Sequence, residues 1–186
     1  VTLDGSVGAP DRREDGSLAL LWGALFRDGH DDVSNRKLLR DEAGKDSPKL
    51  TDIGGDFGYA LHDTASDSLC LLTDKLGIRA LFVCCTKDRV WFSSSLRVME
   101  RLPAVRKVMD LRAVAEMTVF GSPLGDRTAY VDVRVLRPGE RLRVGATSAR
   151  RARSPFMKHS VDESRAHDAH SAREPIAIAL PAGTIY

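Results

Sequence analysis

The sequence predicts an α+β fold, and three observations predict it. Residues 54–95 carry short apolar runs separated by polar turns and enriched in β-branched and aromatic residues. Residues 96–120 then carry two helical patterns. A strand–turn–strand signature follows at 128–144, around Arg137-Pro138-Gly139-Glu140. Strands and helices grouped in this way, rather than in regular alternation, belong to the α+β class.

Each element has its own reason. Val1-Thr2-Leu3 reads as a strand entering a turn at Asp4-Gly5, and Gly5–Pro10 reads as loop. Leu18–Phe26 fits a buried helix or a strand, because an apolar run this short does not decide between them. Asp28–Pro48 is rich in charge and small polar residues and reads as loop or short exposed helix. Gly54-Gly55 permits a close backbone approach or a bulge. Phe57, Tyr59 and Leu61 then alternate with Gly58, Ala60 and His62, the period of a strand with one bulky face. His62 reads as a plain strand-end histidine. Leu69–Leu72 is a second strand, Leu76–Arg79 a bend, and Ala80–Cys85 and Val90–Phe92 a hairpin about Thr86–Arg89.

The helical patterns are equally specific. Leu96–Leu102 makes a short helix stopped by Pro103. Asp110 is an N-cap for Leu111–Phe120, with Leu111, Val114, Ala115 and Val119 expected on the buried face and Gly121 at the end. Thr128–Leu136 and Arg141–Val144 read as strands. Residues 1–145 therefore form one domain. From residue 146 to 174 the composition shifts to Ala, Ser, Arg and His, which reads as a linker. Residues 175–186 open with Ile176-Ala177-Ile178-Ala179-Leu180, the pattern of a buried parallel strand.

Composition narrows the function. The chain has 186 residues, 42% hydrophobic and 29% charged, the balance of an ordinary globular protein. The net charge of +2 gives no field that favours nucleic acid or an anionic membrane. The longest uncharged stretches, Gly16–Phe26 and Pro175–Tyr186, are shorter than the roughly 20 residues needed to span a bilayer. The chain opens at Val1 with no secretory pattern, so upstream sequence and a cytoplasmic setting are expected. Three cysteines, Cys70, Cys84 and Cys85, lie in strand-like runs as buried small hydrophobes, with no zinc-ligand spacing around them. His159, His167 and His170, and the basic run Arg150-Arg151-Ala152-Arg153, read as solvated linker rather than metal or phosphate sites.

Five segments resemble the asparagine-synthetase family in its own order. Gly54–Leu61 is similar to the family's GDFAFALWD-like strand, and Thr73–Phe82 to its RDxLGIRPLYY-like pair. Trp91–Arg97 resembles FASExK, Leu111–Thr128 the following helix and loop, and Leu136–Leu142 the LPPGxxL turn. The resemblance implies the four-layer αββα sandwich of N-terminal-nucleophile amidotransferases, with its N-terminal edge incomplete here. It implies that residues 175–186 begin a PP-loop ATP-pyrophosphatase domain, truncated or degenerate.

It also implies particular chemistry, and departures from it. Glutamine hydrolysis in the family uses an N-terminal Cys whose own α-amine is the base, and no Cys precedes Cys70. The oxyanion position falls on Asp4 and Gly5, where a carboxylate accepts rather than donates. Gly55 and Asp56 match the pair that holds the glutamine α-amine. Asp4, Asp56 and Asp74 suggest acid–base chemistry, but spacing does not bring them together. The pyrophosphate loop falls on Pro181-Ala182-Gly183, which lacks the family's residues, so ATP and magnesium, the family's cofactors, find no support in this stretch.

The expected function is therefore the amidotransferase-like portion of an ATP-dependent amide-forming ligase without glutaminase activity of its own. The β-lactam synthetase and lasso-peptide macrolactam synthetase branch is the expected one. Its partner would be a small-molecule or peptide carboxylate, with a companion subunit or a second copy. A catalytically dead interaction module is the alternative. A working glutaminase, with a Cys exposed upstream, is the third.

Overall fold

The computed structural model describes residues 11–12, 14–45, 48–86, 89–145 and 148–153. It is mixed α and β, with antiparallel sheets and three helices among the described residues. The chain divides into two compact units, one containing residues up to Ala80 and 136–153, the other containing Leu81–Val135.

The first unit is a six-stranded antiparallel sheet with one helix. Its strands are β1 (Asp11–Arg12), β2 (Leu18–Phe26), β3 (Gly54–Asp63), β4 (Ser68–Thr73), β8 (Glu140–Gly145) and β9 (Ser148–Arg153), in the order β1-β2-β3-β4-β8-β9. Pairing resolves the ambiguity of Leu18–Phe26: it is a strand, hydrogen-bonded along its whole length to β3. Side chains on one face follow from register. Leu21, Tyr59, Leu72 and Arg141 stand in one cross-strand row, and Ala19, Leu61, Cys70 and Arg143 in the next. Helix α1 (Asp32–Glu42) covers this face with Leu39, joined by its C-cap residue Ala43. Leu50 and Ile53 complete a core with Phe57, Tyr59, Leu61, Cys70 and Leu72. Each such side chain fully withdrawn from water contributes about 1.5–3 kcal/mol before chain entropy is counted.

Helix α1 is eleven residues long and little buried, in keeping with the exposed-helix reading of this stretch. Asp31 caps it by accepting from Ser34 N at 2.8 Å, and Arg36–Asp32 supports the first turn. Its burial rests on only Asn35 and Leu39. On β3 the predicted bulky face is present, yet residues 57–61 are buried on both faces. The small face is filled from the next strand. Trp22, opposite Gly58, lies where a Cβ at position 58 would be, 2.1 Å from Cζ2, and Phe26 does the same over Gly54.

The second unit is a three-stranded sheet, β6-β5-β7, of β5 (Phe82–Cys85), β6 (Val90–Ser93) and β7 (Arg134–Val135). Helix α2 (Leu96–Arg101) packs Met99, Leu96 and the following Leu102 against Cys84, Phe82 and Trp91, with Val105, Val133 and Tyr130. The strand expected over Thr128–Leu136 is only β7. Thr128 Oγ1 donates to the Val133 carbonyl at 2.8 Å, and that side-chain bond holds a loop where a ladder was expected.

Helix α3 (Leu111–Phe120) has the predicted ends. Asp110 accepts from Arg112 N and Ala113 N, and Gly121 closes it at φ +76°. Its buried face differs from the predicted one. Ala113 and Glu116 are buried, whereas Leu111 is 80% and Val119 72% exposed. The inward position is taken by a carboxylate because Glu116 gathers the loop that follows. It accepts from Leu124 N at 2.9 Å and Arg127 Nε at 3.0 Å, and also from Arg127 Nη2 and Arg112 Nε.

Residues 148–153 also depart from the linker reading. They form β9, paired to β8 from Gly145↔Ser148 to Glu140↔Arg153, so the basic run lies in a sheet strand. Among the described residues no helix is long and apolar enough to cross a membrane.

Candidate functional site

Gly55 and Asp56 sit at the start of β3, where β2 and β3 approach unusually closely. Gly55 has φ +134° and Gly23 φ +95°. A Cβ on Gly55 would lie 2.1 Å from the Ala24 carbonyl oxygen, and one on Gly23 would lie 2.0 Å from that of Asp56. The two glycines thus bracket the Ala24↔Asp56 pair, each making room for the other strand's backbone. The close approach that Gly54-Gly55 implied is present, and Gly23 is the partner that strand periodicity does not show.

Asp56 does not stand alone. Its Oδ2 accepts from Arg79 Nη2 at 2.9 Å and Arg79 Nε at 3.1 Å. Both side chains keep more than a third of their surface exposed, so the pair is screened by water. Arg79 is positioned by Asp74, which is fully buried. The Asp74 carboxylate accepts from Leu76 N at 2.9 Å, Ile78 N at 3.2 Å and Arg79 N at 3.2 Å. Its backbone carbonyl also accepts from Gly77 N and Gly139 N. Asp74 is therefore the brace of the 74–79 loop, its two carboxylate oxygens together accepting from three backbone N–H groups. Gly77, at φ +64°, packs against Pro138, so the Arg137–Glu140 turn backs the same loop. Thr73 Oγ1 joins the two by donating to the Arg137 carbonyl at 2.7 Å.

Of the three aspartates considered together, the structure links two. Arg79 bridges them, bonding Asp56 through its side chain and Asp74 through its backbone. Asp4 and Gly5 lie outside the described residues, as do Pro181, Ala182 and Gly183 and the histidines at 159, 167 and 170. Sequence reasoning placed Arg79 in a bend and gave it no role. An arginine at the end of an Asp-initiated loop was the available signal.

The cysteines are structural in their surroundings. Cys70 lies in β4, and its Sγ donates to the Ala43 carbonyl at 3.1 Å. Burial pushes its thiol up to about 11, against the opposing pull of Arg141 and Arg143. Cys84 in β5 is 1% exposed, and burial, reinforced by the Asp132 charge, pushes it up to about 11 as well. Cys85 is exposed, contrary to the expectation that all three are buried. Its side chain points to the opposite face of β5 from that of Cys84. His62 is a strand-end residue as expected, with Nε2 3.5 Å from Asp67 Oδ1 across the β3–β4 turn.

Among the described residues no group of three or more His, Cys, Asp or Glu could hold a metal ion. The positions that the resemblance assigns to the nucleotide loop lie outside the described residues.

A search of curated proteins finds no match. Residues 38–156 match the family model of the glutamine amidotransferase domain. That span covers more than half of the chain and contains β3, the Asp74 loop, both helices of the second unit and the β8–β9 hairpin. The chain belongs to the glutamine amidotransferase domain family.

Proposed function

We propose that this domain is the amidotransferase-like portion of an ATP-dependent amide-forming ligase of the asparagine-synthetase superfamily, and that it does not hydrolyse glutamine with the thiols of this stretch. The observation that carries the second half is the state of those thiols. Cys70 and Cys84 sit within sheet strands and are pushed up to about 11, and none of the three thiols, the exposed Cys85 included, carries a terminal amine as base. The Asp56–Arg79 pair supports the same reading. A carboxylate that would hold a substrate ammonium already faces a guanidinium fixed by the Asp74 loop. Each of the two antiparallel sheets carries its own helix, α1 on the first and α2 on the second; the αββα sandwich itself rests on the family resemblance. The ligase half rests on the family resemblance of residues 54–145. Its substrate would be a small-molecule or peptide carboxylate, with ATP and magnesium bound outside the described residues.

The test is carboxylate-dependent ATP–pyrophosphate exchange by the intact natural protein. Exchange that requires magnesium and an added carboxylate is the expected result. No exchange across a carboxylate panel, from folded protein, overturns the ligase reading. It would leave an interaction module, which the exposed Leu111, Val119 and Phe120 on α3 favour as the second reading.

A further inference from the structure

Between α1 and the sheet face it covers lies a cavity of about 240 Å³. Its floor is apolar. Ala19 and Leu21 of β2, Tyr59 of β3 and Leu39 of α1 line it, and all but Leu21 are at least nine-tenths buried. Register explains why these residues meet, since Ala19, Leu21 and Tyr59 share the α1-facing side of the sheet. The mouth is charged. Arg36, Lys37 and Arg40 line it from successive turns of α1. Arg40 Nη1 donates to Asp11 Oδ2 at 2.9 Å and Arg36 Nε to Asp32 Oδ2 at 2.6 Å. Lys37 is exposed and makes no ion pair among the described residues. One positive charge therefore remains at the mouth after the two pairs are made. Val33, one turn before Lys37 and 74% exposed, adds apolar surface at the entrance.

We propose that this cavity binds an aromatic or branched aliphatic group that ends in a carboxylate, with the apolar part on the floor and the carboxylate at Lys37. Its volume exceeds the roughly 150 Å³ of an apolar cavity that accepts benzene, so a ring or branched chain fits. An apolar floor fixes the body of the ligand and one unmatched cation fixes its polar end, as in other small-molecule sites. The proposal is independent of the ligase reading, which concerns Asp56 and the Asp74 loop. Two sources share this chemistry: a free small acid, and the C-terminal residue of a peptide.

The test is a titration of the intact ¹⁵N-labelled protein, followed by amide shifts. The probes are 3-phenylpropionate, 3-phenylpropylamine, and a tetrapeptide ending in phenylalanine as free acid or as amide. The acid is expected to give saturable shifts centred on Ala19, Leu21, Leu39 and Tyr59, and the amine is not. Lys37→Glu, an exposed substitution that leaves the fold intact, weakens the acid at least about fivefold. Ala19→Leu, which fills the floor, removes the response. If the free-acid peptide outcompetes phenylpropionate, a peptide terminus is the source; the reverse order assigns a small acid. Equal binding of acid and amine, shifts centred elsewhere, or no effect of Lys37→Glu would overturn the proposal.

Discussion

Replacing Gly55 by alanine puts a methyl group where the neighbouring strand already has its backbone. Two costs arise and can be separated. At φ +134° an alanine is strained, which costs about 1–3 kcal/mol. Its Cβ would also stand 2.1 Å from the Ala24 carbonyl oxygen and 3.2 Å from Leu25 Cα. These are backbone atoms of a paired strand, so β2 must shift, and such overpacking costs a further 1–3 kcal/mol or so. The sum is about 2–6 kcal/mol, a large part of the 5–15 kcal/mol that holds a typical domain folded. Gly29→Ala is the control. Gly29 also has positive φ, +73°, but a Cβ there meets nothing within 4 Å, so only strain of about 1–2 kcal/mol applies. The assay is urea unfolding of both variants beside the natural protein. With a slope of about 2 kcal/mol/M, Gly55→Ala is expected to unfold at least about 0.5 M earlier than Gly29→Ala. Equal midpoints for the two variants would refute the close approach that places Asp56.

Three other outcomes are expected. Asp74→Ala leaves the amides of Leu76, Ile78 and Arg79 without their acceptor, which costs about 2–4 kcal/mol; faster hydrogen exchange at those three amides checks it, and unchanged exchange contradicts it. Glu116 has its carboxyl held down to about 2, first by the Arg127 guanidinium and then by Leu124 N–H, below its usual 4.5. A lowered folded-state value stabilises above the unfolded value, so the advantage of the natural protein over Glu116→Gln is present above pH about 4.5 and fades as pH falls towards 2. Thermal unfolding of both proteins between pH 2 and 7 reads this directly. In native protein at pH 8 iodoacetamide is expected to modify Cys85 before Cys70 and Cys84, whose thiolate fractions at a value of about 11 are on the order of 0.1%. Mass spectrometry that finds Cys70 modified as fast as Cys85 would contradict the buried placement.

The sequence made some of this fold legible and hid the rest for physical reasons. The β3–β4 and β5–β6 hairpins were visible because turn chemistry and strand periodicity agree there, as at Asp63, which holds the first turn through Ala65 N and Ser66. Helix α3 was visible at its ends because Asp110 and Gly121 act locally. Its buried face was not visible, because Glu116 faces inward to meet Arg127, eleven residues away, and hydropathy patterns carry no record of such a partner. Gly58 was read correctly as the small side of a strand, but what covers that side was not visible, for a similar reason. Its missing side chain is supplied by Trp22, thirty-six positions earlier, and only pairing reveals it. At the site Gly55 and Asp56 were singled out from the sequence, but Arg79 and Gly23 were not. Both act across a loop or a strand pair rather than within a motif.

The most direct test of the central claim is glutamate release from glutamine by the intact natural protein, measured with and without ATP and a carboxylate acceptor. On the proposed reading no thiol of this stretch takes part, so any saturable release is expected to be unchanged when Cys70, Cys84 and Cys85 are replaced by alanine. Loss of saturable release on replacing one of them, in protein that remains folded, would contradict the account.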